Sequence, residues 1–252
     1  MHDTKSNAIC DLLAVSGDTL IGCKWDSGII ITTDGGKSWK EYATPEDFDK
    51  ITIDNQGTLW GLDKWIGIHE GSHSRLYFSK DLGQHWEGTE FDVDEFFPVE
   101  FISATHQNLA IKTYDDKVYK LVGMDLKKDW ILLDSLNYEP FTTIYSLPYK
   151  IAVDDILKKD SALNRWDTLV TVSEISIPFG LIQSNDSLFI AAGGYGGYKA
   201  LFASVVNDTS ITKYEMESVQ ALGVIKDSKG RIWTFGDGGI FLFDKNKLKK
   251  MY

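Results

Sequence analysis

Arginine is nearly missing from this chain: Arg75, Arg165 and Arg231 are the only three, beside 23 lysines. The 37 acidic residues outnumber all basic ones and leave a formal charge of −11. That balance speaks against nucleic acid as a partner, because phosphate binding needs clustered Lys and Arg. Cysteine is scarce too. Cys10 and Cys23 are too few for a disulfide framework; they read as two buried thiols, or as one pair across adjacent strands. No apolar run reaches the roughly 18–20 residues of a membrane-spanning helix. The opening "MHDTKSNAIC" has neither the basic start nor the apolar stretch of an export signal. Helical periodicity is short everywhere, with "DDILKKDSAL" its best stretch. Gly-x-Ser-x-Gly and His-Glu-x-x-His are both lacking, which removes the familiar hydrolase elbow and zinc helix. "GGYGGY" at 193–198 has no strand–loop–helix setting for a phosphate, so it reads as a loop.

What is abundant is β-forming. Hydrophobic residues make up 43% of the 252, aromatics 13%, and short Val-, Ile-, Thr- and aromatic-rich runs alternate with turn signals. Thr32-x-Asp34-x-Gly36-x-Ser38-Trp39 returns forty-seven residues later as Ser79-x-Asp81-x-Gly83-x-x-Trp86. A second echo links Asp54-x-x-Gly57-x-Leu59-Trp60 to Asp227-x-x-Gly230-x-Ile232-Trp233. Fainter copies pair Asp125 with Trp130 and Asp160 with Trp166. Aligning the runs divides the chain into six four-strand units, about 8–44, 48–92, 97–136, 139–174, 178–217 and 219–252. At 42 residues each, they have the size of propeller blades. The expected fold is therefore all-β: a single six-bladed β-propeller over 8–252, with five or seven blades as alternatives and 1–7 as a disordered start. "KLKKMY" would supply the last outer strand, so first and last blades would meet through side chains.

The Asp–Gly–Trp turns resemble Asp-boxes, the bacterial-neuraminidase (BNR) repeat of sialidases, xyloglucan hydrolases, sortilin-type receptors and photosystem II assembly factors. The Asp-x-x-Gly-x-Ile/Leu-Trp hairpins resemble the propeller repeats of two-component regulators. This likeness implies a sialidase-like propeller scaffold. It says little about function, since such repeats serve many roles. Each motif residue has a structural task. Gly36 and Gly83 permit a positive φ, Asp34 and Asp81 accept turn amides, and Trp39 and Trp86 pack between units with an indole N–H for a turn carbonyl. One carboxylate per turn is too little for calcium.

Sialidase activity is the sharp enzymatic expectation, and the sequence argues against it. That family uses three converging arginines, whereas here Arg75 falls on the face carrying the strand-two-to-three loops, and Arg165 and Arg231 fall on the Asp-box face. Glycosidase chemistry would need two carboxylates across a sugar. Asp11 and Glu100, early on innermost strands, are the candidates, and hydrated channel-lining groups are the plainer reading. His69 and His73, four apart in a glycine-bearing loop, do not suggest a metal site, and no cofactor is expected.

The loops of the other face are acidic and aromatic. The candidate ligand-binding residues are Trp25, Asp26, Trp65, Asp115, Asp116, Tyr195, Tyr198 and Asp237, with Glu46, Asp47, Phe48 and Phe97 among the inter-unit loops. Phe96 and Phe97 also read as hydrophobic corks. Together these suit a non-catalytic monomeric module for a protein or peptide partner, or alternatively a glycan. The resemblance favours an exported or cell-surface bacterial setting with its signal removed, with a cytoplasmic setting as the alternative.

Overall fold

The computed structural model describes residues 8–25, 28–54, 56–65, 72–91, 97–103, 109–115, 117–123, 125–133, 149–152, 155–160, 162–163, 165–171, 176–194, 200–206, 210–216 and 220–252. Every regular element among them is a strand, and the strands follow the repeat in order. The first sheet is β1 (Ile9–Ser16), β2 (Thr19–Lys24), β3 (Gly28–Thr32) and β4 (Lys40–Ala43). The second is β5 (Lys50–Ile53), β6 (Leu59–Trp65), β7 (His73–Ser79) and β8 (Glu87–Phe91). The third is β9 (Pro98–Ser103), β10 (Ala110–Thr113), β11 (Val118–Leu121) and β12 (Trp130–Leu133).

A three-stranded sheet follows, of β13 (Tyr149–Ala152), β14 (Asp155–Asp160) and β15 (Arg165–Thr171). The fifth is β16 (Ser176–Ser184), β17 (Ser187–Gly194), β18 (Leu201–Val206) and β19 (Ser210–Glu215). The sixth is β20 (Ala221–Lys226), β21 (Ile232–Gly236), β22 (Gly239–Asp244) and β23 (Lys247–Lys250). The innermost strand expected for the fourth unit, "TTIYSLP", lies outside the described residues. "DDILKKDSAL" has the most helical period in the sequence, yet its "ILKKDSA" part is a strand of the fourth unit by the repeat, and it contributes β14. Its Ile156 is fully buried against the fifth sheet's Leu181 and Ile190, so packing overrides a weak local preference.

Backbone contacts divide the chain into two compact units. One holds 1–20, 32–39 and 142–252; the other holds 21–31 and 40–141, so the first sheet contributes to both. In the larger unit an aromatic core of Phe189, Phe202, Tyr214 and Phe243 fills the space between fifth and sixth sheets, with Phe202 and Tyr214 each 5.1 Å from the Phe243 ring. In the other unit, Trp60, Leu76 and Phe78 of the second sheet pack on Leu109, Ile111 and Leu121 of the third.

The repeated turns share one set of bonds. Asp34 Oδ1 accepts the amides of Lys37 and Ser38 and the Thr32 hydroxyl, while Oδ2 accepts the Ser38 hydroxyl. Asp81 does the same with Gln84, His85 and Ser79, the His85 ring standing where the serine stood. Gly36 and Gly83 hold φ of 84° and 88°. The amide of each donates to the Thr32 or Ser79 hydroxyl. Trp86 sends its indole N–H to the Gly83 carbonyl as expected, but Trp39 sends its own to Met251, 3.0 Å away.

The other hairpins use a different lock. One Asp54 oxygen accepts the Gln56 and Thr58 amides and the other the Trp60 indole; Asp227 repeats this with Lys229, Arg231 and Trp233. Cys10 and Cys23 are separate thiols, Cys23 buried and Cys10 half-buried.

Candidate functional site

Strand register builds the site. On the β6–β7–β8 ladder, Asp63 stands opposite Arg75, and Arg75 opposite Glu90. Directly opposed residues share a sheet face, so three charges line up across three strands. Glu46, from the segment between β4 and β5, joins them. The Arg75 guanidinium lies 3.1 Å from Glu46, 3.2 Å from Glu90 and 3.5 Å from Asp63. His73, at the head of β7, places Nε2 3.3 Å from the same Asp63 carboxylate. Nearby, Asp49 accepts the Lys64 amide. Thus one fixed cation serves several carboxylates. Burial pushes the Asp63 carboxyl up from its ordinary value; His73 and Arg75 lower it, and the negative charges of Glu46 and Asp49 add to the rise. Asp49 is likewise raised, first by burial.

Beneath the charges the same face turns aromatic. Phe48 is buried, with its ring 4.9 Å from Trp86 and 5.5 Å from Tyr77. It passes so close to Gly61 that a Cβ there would fall 2.3 Å from the ring. Its carbonyl accepts the Cys23 thiol at 3.0 Å. Cys23 ends two residues before Trp25, which is 52% exposed on the turn after β2. The charged cluster, the aromatic floor and the exposed Trp25 therefore border one seam between the first and second sheets.

The remaining sequence-derived candidates are distributed otherwise. Trp65 ends β6 opposite His73; nothing is described of its side chain. Asp115 is tied into its own turn by the Thr113 hydroxyl at 2.6 Å and Lys117 at 2.7 Å. Asp237 clamps the turn after β21, accepting the Gln220 amide at 3.1 Å. Asp26, Asp116, Tyr195, Tyr198, Phe96 and His69 fall outside the described residues. Phe48 and Phe97 are buried, as corks rather than contact residues, while Tyr114 stands 65% exposed, edge-on to the Phe97 ring. Asp11 lies on β1 in the larger unit and its carboxylate accepts the Leu12 amide. Glu100 lies on β9 in the other unit, its side chain undescribed.

Sequence reasoning placed Arg75 and Glu46 on this face and passed over Asp63. The signal was there: an aspartate inside the apolar run "LWGLDKW" costs free energy unless it meets a partner. Among the described residues no group of three or more His, Cys, Asp or Glu side chains is arranged to hold a metal. No described helix is long and apolar enough to cross a membrane.

No family model matches this chain, and no curated protein matches it in sequence. Among solved structures it is similar to the WD40 β-propeller domain of Doa1, at 11% identity and a TM-score of 0.51, over 98% of this chain and 95% of that one. The extracellular domain of a hybrid two-component system of B. thetaiotaomicron matches at 13% identity and a TM-score of 0.52, over 98% of this chain and 39% of that one. A streptogramin B lyase matches at 11% identity and a TM-score of 0.48, over 95% and 94%. Likeness at these identities concerns the fold, and the fold is a β-propeller.

Proposed function

We propose that this chain is a non-catalytic propeller of the Asp-box type, six-bladed, that binds a protein or peptide through the seam between its first two sheets. The group it recognises is a basic side chain flanked by an apolar one. The observation that carries this reading is the imbalance around Arg75, where Glu46, Asp63 and Glu90 share one guanidinium and Asp49 adds negative charge beside Asp63. A carboxylate whose ionisation burial resists, with further negative charge beside it, is stabilised by an incoming cation. Exposed Trp25 supplies an aromatic surface against which an aliphatic stem or a guanidinium packs.

Selection from a random peptide library is the direct test. The expected result is enrichment of Lys or Arg beside an aromatic or aliphatic residue. Binding of the selected peptides should weaken about tenfold or more, about 1.4 kcal/mol, in Trp25→Ala and Trp65→Ala, with melting unchanged. No enrichment, or equal binding by both variants, would overturn the reading. The exposed Trp25 face also suits a stacked neutral sugar, and a glycan array distinguishes that alternative, because sugar binding would not need Asp63 ionised.

A further inference from the structure

We infer that β23 is a docking edge for an extended acidic segment of a partner protein, which joins the sixth sheet as a further strand. The inference does not rest on the reading of the seam beside Arg75.

Charge sets this strand apart. Residues 220–252 hold seven basic side chains against Asp227, Asp237 and Asp244, a net of +4 in a chain that carries −11. Two of those aspartates are engaged within the sheet. Asp227 accepts Arg231 and the Trp233 indole, and Asp237 accepts the Gln220 amide. Arg231 and Lys229 are engaged in turn by Asp18. The charge left over gathers at β23 and the turn before it, on Lys245, Lys247, Lys249 and Lys250. All four are exposed, and none forms an ion pair among the described residues. The last strands of the other sheets differ: β4, β15 and β19 each mix both signs, β8 is acidic, and β12 carries no charge.

The backbone of β23 is open on one side. It ends the strand order of its sheet. The Met251 amide donates to the Ile240 carbonyl, one step beyond the Phe241–Lys250 pair. Bonded and non-bonded pairs alternate along an antiparallel ladder, so Leu242–Lys249 and Asp244–Lys247 are the bonded pairs. The amides and carbonyls of Leu248 and Lys250 then point away from β22. Neither residue has another hydrogen-bond partner among the described residues. An added strand would draw its affinity from these main-chain groups.

Charge chooses the occupant. Lysines along an edge oppose pairing with an apolar or basic strand. They attract an acidic one, because opposite charges directly across a ladder stabilise it. A lipid surface would use the lysines and leave the main-chain groups to water, whereas a peptide strand uses both. Alternation fixes the pattern: Lys247 and Lys249 share one face, Leu248 and Lys250 the other. Leu248 packs on the aromatic core between fifth and sixth sheets. An antiparallel partner therefore reads acidic-acidic-apolar-acidic opposite Lys250, Lys249, Leu248 and Lys247.

Fluorescence anisotropy with a labelled decapeptide, carrying Glu-Glu-Val-Glu between Thr and Val flanks, tests this. The wild-type chain should bind it. Lys247→Glu and Lys249→Glu should each weaken binding about tenfold with unchanged melting. Lys127→Glu, the same charge change on the turn before β12, should leave binding unaltered. Methylating the peptide amides opposite Leu248 and Lys250 should abolish binding, because main-chain bonds are lost while charge is kept. No binding by the wild type, equal binding by the β23 variants, or full binding of the methylated peptide would overturn the inference. Binding to phosphatidylglycerol vesicles in place of the peptide would overturn it too.

Discussion

Two aspartates show how environment assigns opposite roles to one side chain. Asp34 is surrounded by donors; the Ser38 hydroxyl and amide, then the Thr32 hydroxyl, hold its carboxyl well below the usual range. A lowered folded pKa adds stability that is present above the ordinary value of 3.8 and is lost as pH falls below it. Asp34→Asn should therefore unfold at lower urea than wild type at neutral pH, and the gap should shrink in acid. A constant gap across pH would mean the carboxylate's charge is irrelevant to the turn. Asp63 behaves in the reverse sense. Its raised pKa means the folded state holds the proton more tightly than the unfolded one, so it favours folding in acid, and that contribution is lost as pH rises through the folded value. Asp63→Asn should be no less stable than wild type at neutral pH, yet bind basic peptides more weakly. In wild type the same peptides should bind more weakly on acidification, at a pH above that of an exposed carboxylate. Peptide titrations by fluorescence anisotropy at several pH values measure this.

At the scale of elements, turns and hairpins were legible because their chemistry is local. A carboxylate that must satisfy amides three and four residues on leaves a fixed Asp–Gly–Trp spacing, and Asp34 and Asp81 were found from it. The Asp227–Trp233 bond was half legible: spacing showed the hairpin, while the indole reaching the carboxylate depends on side-chain direction. The Asp63–Arg75–Glu90 row was out of reach, since it needs the register of three strands at once. The repeat sets "ILKKDSA" among the strands of the fourth unit, and β14 forms there despite the most helical period in the sequence, because its apolar partners lie on another sheet. Trp39 and Trp86 carry the clearest prediction here. Each fills space between elements, so Trp39→Ala and Trp86→Ala should cost roughly 3–5 kcal/mol by urea denaturation. Binding by the surviving folded fraction should be unchanged in Trp39→Ala. Trp39→Phe tests the indole bond separately, and equal stability with wild type would show that packing alone carries the contribution.

For the whole molecule, side-chain contacts join the first and last repeats within the larger unit. Asp18, on the turn after β1, meets Lys229 at 2.6 Å and Arg231 at 3.0 Å. Arg231 also donates to the Gly17 carbonyl and lies 5.3 Å above the Trp233 ring. The Trp39 indole stands edge-on to Tyr252 at 5.8 Å and donates to the Met251 carbonyl. Met251 in turn bonds Ile240 through its backbone amide. These contacts are a mixture of exposed ion pairs and half-buried rings, and the rings should dominate, because exposed pairs are screened. Melting temperature should therefore fall clearly for Tyr252→Ala and hardly at all for Asp18→Asn in physiological salt.

The central claim is that this propeller recognises a basic group at the seam beside Arg75. Amide chemical-shift mapping with a library-selected Lys- or Arg-containing peptide tests it most directly. The account predicts shifts concentrated at Lys24 and Trp25, at Glu46 to Asp49, at Asp63 to Trp65 and at His73 to Arg75, all diminished in Asp63→Asn. Shifts centred instead on the turns of Asp34 and Asp81, or of unchanged size in the variant, would contradict it.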